Sequence, residues 1–225
     1  MTASTLNTSA QAEVAKDQST QESQTSLDWL QAGHTAVITG GANGIGRAAA
    51  EIFLANGMQV VIADNNAEAL AAAAEDLHAY QDRLEVMTCD VSNYAQVCRL
   101  RDRAFERFAS VDCLMNNAGA AVTRALPWDD LDGWKKQLDI NLWGILHGCH
   151  AFVPALIAQE RAATIINTGS KQGITNPPGG FAYNLSKAGV LNYTQSLAHA
   201  LRDQADANVT AHLLVPGFTY SNMIQ

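Results

Sequence analysis

Short apolar runs alternate with longer amphipathic stretches along most of this chain. The runs are rich in Val, Ile and Leu, as buried strands are, and the stretches between them repeat with helical period. We predict strands near residues 35–39, 58–63, 84–89, 111–116, 163–167 and 209–215, and helices near 45–56, 66–79, 93–109, 129–159 and 181–203. Alternating strands and helices indicate an α/β fold with a parallel sheet covered by helices on both faces. Right-handed crossovers predict a Rossmann-type, doubly wound sheet of order 3-2-1-4-5-6, with a ligand crevice between strands 1 and 4.

The first part of the chain has a different composition. Residues 1–26 are rich in Ser, Thr, Gln and Ala and contain almost no large apolar side chains. We therefore predict a disordered tail over 1–30 and one domain over 31–225, which the 48% hydrophobic content is sufficient to build. The tail lacks the apolar core of a secretion signal, and no stretch of the chain is expected to reach transmembrane length.

The net charge and the cysteines indicate which partners and which cellular compartment to expect for this protein. The net charge of −8 argues against nucleic acid and against an anionic membrane surface as partners. The four cysteines have no metal-ligand or CxxC spacing, which predicts buried thiols in a reducing cytoplasm. His147 and His150 stand three residues apart, but no third ligand has suitable spacing, so we predict no metal site.

A glycine-rich segment directly follows the first predicted strand. Gly40, Gly44 and Gly46 separate that strand from a helical pattern. This layout presents backbone N–H groups and a helix N-terminus to a pyrophosphate, and glycine allows the tight turn and the close approach. The spacing differs from the G-x-G-x-x-G fingerprint, and no Gly-Lys-Ser/Thr sequence of a nucleoside-triphosphate loop is present. An ordinary tight turn remains the alternative for the glycines alone.

Asp64 ends the second predicted strand, about twenty residues beyond the glycines. A carboxylate at that position accepts hydrogen bonds from the hydroxyls of an adenosine ribose. Because Asn65 and Asn66 supply no positive charge for a 2′-phosphate, we predict a preference for NAD over NADP. The alternative for Asp64 without the glycines is a strand-end turn residue or a helix N-cap.

Tyr183 and Lys187 are four residues apart in a predicted helix, so their side chains lie on one face. Tyrosine ionises near pH ~10, and a neighbouring positive charge lowers that pKa. The pair is therefore a candidate acid–base catalyst, with chance placement on an amphipathic helix as the alternative.

The ordered set of motifs from Thr35 to about Ile224 resembles the short-chain dehydrogenases/reductases of the compact type. The motifs are Thr39-Gly40-xxx-Gly44-Ile45-Gly46, Asp90-Val91, Asn116-Asn117-Ala118-Gly119, Asn141, Ser170, Tyr183-xx-Ser186-Lys187 and Pro216-Gly217. The resemblance implies a catalytic set of Asn141, Ser170, Tyr183 and Lys187. It implies cofactor contacts from Gly40, Asn43, Gly44, Ile45, Gly46, Asp64, Asp90, Val91, Asn116, Ala118, Gly119, Tyr183, Lys187, Pro216, Gly217 and Thr219.

The resemblance further implies hydride transfer between NAD(H) and a small-molecule alcohol or carbonyl, with Tyr183 as general acid–base. Lys187 would assist by electrostatics, Ser170 by a hydrogen bond to the substrate oxygen, and Asn141 by interrupting its helix and holding a water. Assembly as a homodimer or homotetramer is also implied. The segments 119–128 and 174–180 are expected to line a mainly apolar pocket.

Two departures from the family pattern leave other functions open. Gly169 and Lys171 flank Ser170, where many relatives have a second serine, and six residues follow Thr219, so the final sheet strand of the family is expected to be missing. A short C-terminus leaves a non-catalytic NAD-binding or interaction protein as the alternative, opposed by the intact catalytic set. An NAD-dependent sugar-nucleotide epimerase or dehydratase is opposed by the glycine spacing. The sequence does not identify the substrate or the direction of the reaction.

Overall fold

The computed structural model describes residues 29–126, 128–204 and 207–219. The predicted strands form, at Thr35–Thr39 (β1), Gln59–Asp64 (β2), Leu84–Thr88 (β3), Cys113–Asn116 (β4), Ala163–Thr168 (β5) and Val209–Leu214 (β6). The helices are Gly44–Ala55 (α1), Ala67–Asp76 (α2), Tyr94–Phe108 (α3), Leu131–Leu138 (α4), Gly144–Ala158 (α5), Gln172–Thr175 (α6) and Phe181–Asp203 (α7). The sequence analysis missed the short α6 and a 3₁₀ turn at His78–Arg83, because neither is long enough to show a helical period.

The strands form one parallel sheet of order β3-β2-β1-β4-β5-β6 in the described part of the chain. The predicted α/β fold and strand order are therefore confirmed. The order reverses between β1 and β4, which pair through Ala36–Cys113, Val37–Leu114 and Ile38–Met115. The carboxyl ends of these two strands border the crevice where ligands bind in such sheets.

Two separate cores cover the two faces of the sheet. Side chains alternate along a strand, so Val37 faces one core and Ile38 faces the other. The first core packs α3, α5 and α7 on the sheet, through residues such as Phe152 and Val190. The second core packs α1 and α2 on the opposite face, through residues such as Leu54. Helices on both faces explain why β1 is buried at every position.

The helix predicted over 129–159 is interrupted in the structure. It begins at Leu131 and contains a π-helical segment at Asp139–Trp143 between α4 and α5. The whole stretch Leu131–Ala158 is long and apolar enough to cross a membrane by length and composition, so the expectation that no stretch reaches that length is wrong. Its buried residues, including Ile145, Phe152 and Leu156, pack in the core between the sheet and α3, which accounts for the apolar composition.

The tail predicted over residues 1–30 lies almost entirely outside the described residues. At its end, Trp29 packs edge-on against Phe53 of α1, with ring centroids 5.4 Å apart. Trp29 and Leu30 both contact the second core.

Candidate active site

The turn between β1 and α1 has the backbone that the glycine spacing predicts. Gly40 and Gly44 have φ of +63° and +55°, a region that side chains disfavour. A Cβ on Gly40 would lie 2.8 Å from the Cα of Ala118, so the turn packs against the segment that follows β4. A Cβ on Gly46 would overlap the Gly40 carbonyl oxygen. Only glycine permits this folding of the turn onto the first turn of α1.

The N-terminus of α1 differs from those of α2, α3 and α4. Asn66, Asn93 and Asp130 cap α2, α3 and α4 by accepting a backbone N–H, at 3.0, 3.3 and 2.8 Å. Helix α1 has no side-chain cap hydrogen bond and no acidic residue in its first turn. Unsatisfied N–H groups and the positive end of the helix dipole suit an anion. The turn therefore fits the pyrophosphate of a dinucleotide.

Asp64 lies at the end of β2, beside this turn. Its Oδ2 accepts from the N–H of Ala42 at 3.3 Å and its Oδ1 from the N–H of Asn66 at 3.1 Å. The carboxylate is half-buried and keeps acceptor capacity for two hydroxyls. The nearby cation Arg47 bonds Glu51 at 3.0 Å and lies 3.5 Å from Asp76. These residues fit an adenosine ribose with free hydroxyls.

Asn117 is a site residue that the sequence analysis quoted in a motif but did not select. Its Nδ2 donates to the carbonyls of Thr39 and Gly40, both at 3.2 Å, and its N–H donates to Thr39 Oγ1 at 3.0 Å. The hydroxyl of Thr168, at the end of β5, donates to Asn117 Oδ1 at 3.3 Å. Asn117 thus connects the ends of β1, β4 and β5 by hydrogen bonds. The sequence alone could not distinguish this role of Asn117 from the roles of its neighbours Asn116, Ala118 and Gly119, which were predicted to contact the cofactor.

The remaining predicted cofactor residues lie at the ends of β3 and β6. Asp90 accepts from the N–H and hydroxyl of Ser92 at 2.9 and 2.7 Å, and the carbonyl of buried Val91 accepts from His147 Nδ1 at 2.8 Å. Pro216 follows β6, and its carbonyl accepts from the N–H of Lys171 at 3.2 Å. That bond brings the segment Pro216–Thr219 beside Ser170.

Three of the predicted catalytic side chains, one after β5 and two on α7, meet at the end of β5. Ser170 follows β5, and its side chain lies near enough to the phenol of Tyr183 on α7 to lower the pKa of that phenol. One turn further along α7, Lys187 Nζ lies 5.8 Å from the centre of the Tyr183 ring. Lys187 is buried, and its Nζ donates to the carbonyl of Thr168 at 2.8 Å. The structure therefore assembles Ser170, Tyr183 and Lys187 in one place.

The pKa of Tyr183 shifts in the direction opposite to the one predicted from the sequence. Burial raises the pKa of Tyr183 above its ordinary value of 10, and the hydrogen bond from Ser170 opposes that rise. Lys187 was expected to lower the phenol pKa, but burial is the largest cause of its shift and raises it. Burial also lowers the pKa of Lys187 to about 8. Removing either group from water disfavours its charged form. The spacing of residues along a helix does not reveal this effect of burial on a pKa.

Asn141 is fully buried inside the π-helical segment. Its Oδ1 accepts from the N–H of Ala120 at 2.8 Å and its Nδ2 donates to the carbonyl of Ala120 at 2.9 Å. The same Nδ2 lies 3.4 Å from Ser186 Oγ, which in turn donates to the Tyr183 carbonyl at 2.7 Å. Asn141 therefore interrupts its helix, as expected, and connects the loop after β4 to the helix that carries Tyr183.

A buried network of side chains holds α7 on the sheet. Asn116 Nδ2 donates to Asn167 Oδ1 at 2.9 Å, and Asn167 Nδ2 donates to Thr194 Oγ1 at 3.0 Å. Thr194 lies two turns beyond Lys187 on the same helix. Buried polar networks of this kind fix a unique register when their members are paired. Nothing in the sequence pattern indicated it, because each member lies at an ordinary core position.

The described residues contain no group of three His, Cys, Asp or Glu that could hold a metal ion. Cys89, Cys113 and Cys149 are buried, Cys98 is half-buried, and all four are free thiols. Burial raises the pKa of Cys89 and of Cys149 to about 11. These thiols are therefore protonated at neutral pH and unsuited to nucleophilic or metal-binding roles.

Comparison with known proteins agrees with this geometry. The sequence model of the short chain dehydrogenase family matches residues 34–225. The 3beta-hydroxysteroid dehydrogenase 2 of Eggerthella lenta is 37% identical over 194 residues, which cover 85% of this chain and 73% of that protein. A 2-dehydro-3-deoxy-L-rhamnonate dehydrogenase (NAD(+)) of a Sphingomonas species is 33% identical over 186 residues, covering 82% and 72%.

Solved structures agree as well. A short chain dehydrogenase/reductase of Burkholderia phymatum in complex with NAD superposes with a TM-score of 0.83 at 37% identity, covering 87% of this chain and 69% of that one. An NAD⁺-bound xylitol dehydrogenase superposes with a TM-score of 0.78 at 29% identity, covering 83% and 71%.

Proposed function

The chain belongs to the short-chain dehydrogenase family, and we propose that it transfers hydride between NAD(H) and an alcohol or carbonyl with Tyr183 as general acid–base. The observation that carries this proposal is the meeting of three side chains: Ser170 lies beside the Tyr183 phenol, and buried Lys187 is held one helical turn away with its Nζ 5.8 Å from the ring centre. The family's relatives are dehydrogenases and reductases of hydroxyl and carbonyl groups, so this chain is an oxidoreductase of the same kind.

In alcohol oxidation, the Tyr183 oxygen takes the hydroxyl proton while hydride leaves the carbinol carbon. A bound NAD⁺ would supply the hydride acceptor, and its nicotinamide ring would be positively charged before the transfer and neutral after it. Ser170 donates a hydrogen bond to the substrate oxygen and stabilises the charge that develops on it. In carbonyl reduction the same groups act in reverse, with the Tyr183 hydroxyl as proton donor.

Lys187 contributes its charge rather than a proton. A pKa of about 8 leaves its ammonium mostly charged at pH 7, and its bond to the Thr168 carbonyl fixes Nζ beside the ring of Tyr183. Two unit charges about 5 Å apart interact by roughly 3 kcal/mol at an effective dielectric of 20. That attraction favours the phenolate and opposes the effect of burial. Because phenolate is the active base, the rate of oxidation should rise with pH from neutral to alkaline conditions.

The glycine turn and Asp64 favour NAD over NADP in this proposal. A 2′-phosphate would meet the Asp64 carboxylate, while Arg47 is already engaged by Glu51 and Asp76. Two superposing structures were solved with NAD bound, and the rhamnonate relative is an NAD(+) dehydrogenase by name. Calorimetric titration with NADH and, separately, NADPH tests the preference. Tight NADH and weak NADPH binding is the expected result, and equal binding would contradict the role given to Asp64.

Exposed apolar side chains around the site favour an alcohol with an apolar body. Trp128 precedes α4, Ile174 is on α6 and Phe218 follows β6, and they are 77%, 59% and 79% exposed. Relatives are named for a hydroxysteroid, an acyl chain on a carrier protein and a sugar acid, which span apolar and polar substrates. Turnover of NAD⁺ with cyclohexanol, a 3β-hydroxysteroid and a sugar alcohol distinguishes these classes. Activity confined to the sugar alcohol would contradict the apolar pocket.

We also propose a homo-oligomer in a reducing, cytoplasmic compartment. Trp143, the last residue of the π-helical segment, and Leu185, on α7, are 51% and 52% exposed, and a second copy of the chain would cover such apolar side chains. The free thiols fit the reducing compartment. Sedimentation analysis of the purified protein tests the assembly, and a monomer at micromolar concentration would contradict it.

A further inference from the structure

Asn184 directly follows Tyr183 on α7, and it belongs to none of the roles described so far. Its side chain is buried although the adjoining loop, Asn176 to Gly180, is largely exposed. Asn184 Nδ2 donates to the Pro177 carbonyl at 2.7 Å and to Asn176 Oδ1 at 3.1 Å. Both hydrogen bonds of this amide nitrogen therefore go to the loop, which we name the pocket loop (residues 176–180).

The pocket loop is built to return onto Asn184. Asn176 and Gly179 have φ of +44° and +84°, and the two prolines between them have restricted φ. A Cβ on Gly180 would lie 3.0 Å from Asn184 Oδ1, so the loop packs directly against the amide. The Asn184 N–H also donates to the Gly180 carbonyl at 2.7 Å. Both ends of the loop are thus fastened to the same residue of α7.

The segment before the loop is fastened to the catalytic groups as well. The N–H of Gln172 donates to Ser170 Oγ at 3.1 Å. A Cβ on Gly173 would lie 2.5 Å from the carbonyl carbon of Lys187, so α6 packs against the backbone of α7 at the catalytic lysine. The chain from Ser170 to Lys187 therefore folds back on itself, with α6 packed against α7. The hydrogen bonds of the Asn184 side chain hold the pocket loop between them against α7.

We propose that Asn184 is a positioning residue that holds the pocket loop closed against α7 and thereby sets the affinity for the substrate. The proposal rests on the oxidoreductase function proposed above. Asn184 does not touch the reacting atoms. It orders the loop in the free protein. Substrate binding therefore does not include the free-energy cost of ordering the loop. Loss of that closure should weaken substrate binding and relax selectivity while the proton transfer by Tyr183 continues.

Hydrogen–deuterium exchange on Asn184→Ala tests the closure without any substrate. The matched control is Asn192→Ala, an exposed asparagine on the same helix. Asn176→Gly is a second variant, which keeps the left-handed backbone and removes one bond to Asn184. We expect backbone amides in residues 172–184 to exchange about tenfold faster in Asn184→Ala, less so in Asn176→Gly, and unchanged in Asn192→Ala. Unchanged exchange in both loop variants would overturn the proposal, and a misfolded Asn184→Ala leaves Asn176→Gly to decide it.

Steady-state kinetics with cyclohexanol and a 3β-hydroxysteroid test the effect on the substrate. Asn184→Ala should raise KM about tenfold with kcat within about threefold, because only binding interactions are lost. The ratio of kcat/KM for the two alcohols should move towards unity. A fall in kcat at constant KM would overturn the positioning role. If the unmodified protein oxidises neither these alcohols nor the sugar alcohol, the proposed function fails, whereas the exchange result still decides whether Asn184 closes the loop.

Discussion

The two halves of the site are built by different means. The cofactor half, from β1 to the loop after β4, is shaped by backbone: positive φ at Gly40 and Gly44, and no room for a side chain on Gly46. The catalytic half, at the end of β5 and on α7, is shaped by buried side-chain hydrogen bonds such as Lys187 to Thr168 and Asn167 to Thr194. The first half depends on local conformation, and the second on the register of one helix against the sheet.

This difference predicts separable failures. A side chain added in the cofactor half should remove dinucleotide binding, and with it every later step. A side chain removed in the catalytic half should leave binding intact and stop the chemistry. The variants below follow that contrast from the largest expected effect to the smallest.

Tyr183→Phe should separate the halves most clearly. It deletes the oxygen that we propose exchanges a proton with the substrate, and it keeps the ring beside Lys187. General acid–base groups contribute about 10²- to 10⁴-fold, so we expect kcat to fall by at least about 10³-fold. The NADH dissociation constant, measured by calorimetry, should change by less than about threefold. Tyr94→Phe, an exposed tyrosine on α3, serves as the control, and turnover that survives in Tyr183→Phe would remove Tyr183 from the mechanism.

Gly46→Ala should produce the opposite failure. The added methyl would overlap the Gly40 carbonyl and press against Asn117 Nδ2, so the turn must open. We expect NADH affinity to fall at least about 100-fold and the protein to lose roughly 1–3 kcal/mol of stability from overpacking. Ala48→Ser, exposed on the same helix, should change neither quantity. Unaltered NADH binding in Gly46→Ala would mean that the turn does not hold the pyrophosphate.

The same contrast explains what the sequence could predict. Glycine spacing and an acid at a strand end are local signals, and so Gly40, Gly44, Gly46 and Asp64 were selected together with the correct strand order. Short elements such as α6 gave no period, and the role of Asn117 could not be separated from that of Asn116 by composition. These features depend on tertiary structure, because they follow from which strand ends lie next to each other. A pattern along the sequence does not contain that information.

The pKa of Tyr183 shows the same limit in energetic terms. The i to i+4 spacing correctly predicted that Lys187 lies beside the ring. It could not predict how deeply each group is buried, and burial decides the direction of both shifts, raising the pKa of Tyr183 and lowering that of Lys187. Proximity follows from the helix, whereas desolvation follows from the packing of the helix on the sheet.

Lys187→Met should reveal that desolvation as a dependence of stability on pH. The pKa of Lys187 falls from 10.5 unfolded to about 8 folded, so between those pH values the unfolded chain binds more protons. Stability of the unmodified protein should therefore rise with pH across this window, by roughly 2 kcal/mol between pH 8 and 9.5 relative to Lys187→Met. Urea unfolding of both proteins at several pH values measures the difference. Stability curves of the unmodified protein and Lys187→Met that run parallel across this pH range would contradict the lowered pKa of Lys187. As a control, Lys136→Met on the surface of α4 should give a curve parallel to that of the unmodified protein.

Asp64→Ala should give the smallest and most selective effect, because it removes one carboxylate, with its bonds to Ala42 and Asn66, and adds no side chain that the turn must make room for. Loss of hydrogen bonds from a carboxylate to the ribose hydroxyls should weaken NADH binding about tenfold. NADPH should bind a few times more tightly, since its 2′-phosphate no longer faces a carboxylate at close range. Calorimetric titration of both cofactors into Asp64→Ala, with exposed Asp82→Ala as the control, measures this exchange of preference. Equal losses for the two cofactors would instead mean that Asp64 supports the turn through Ala42 and Asn66, and that the cofactor half selects its ligand by shape alone.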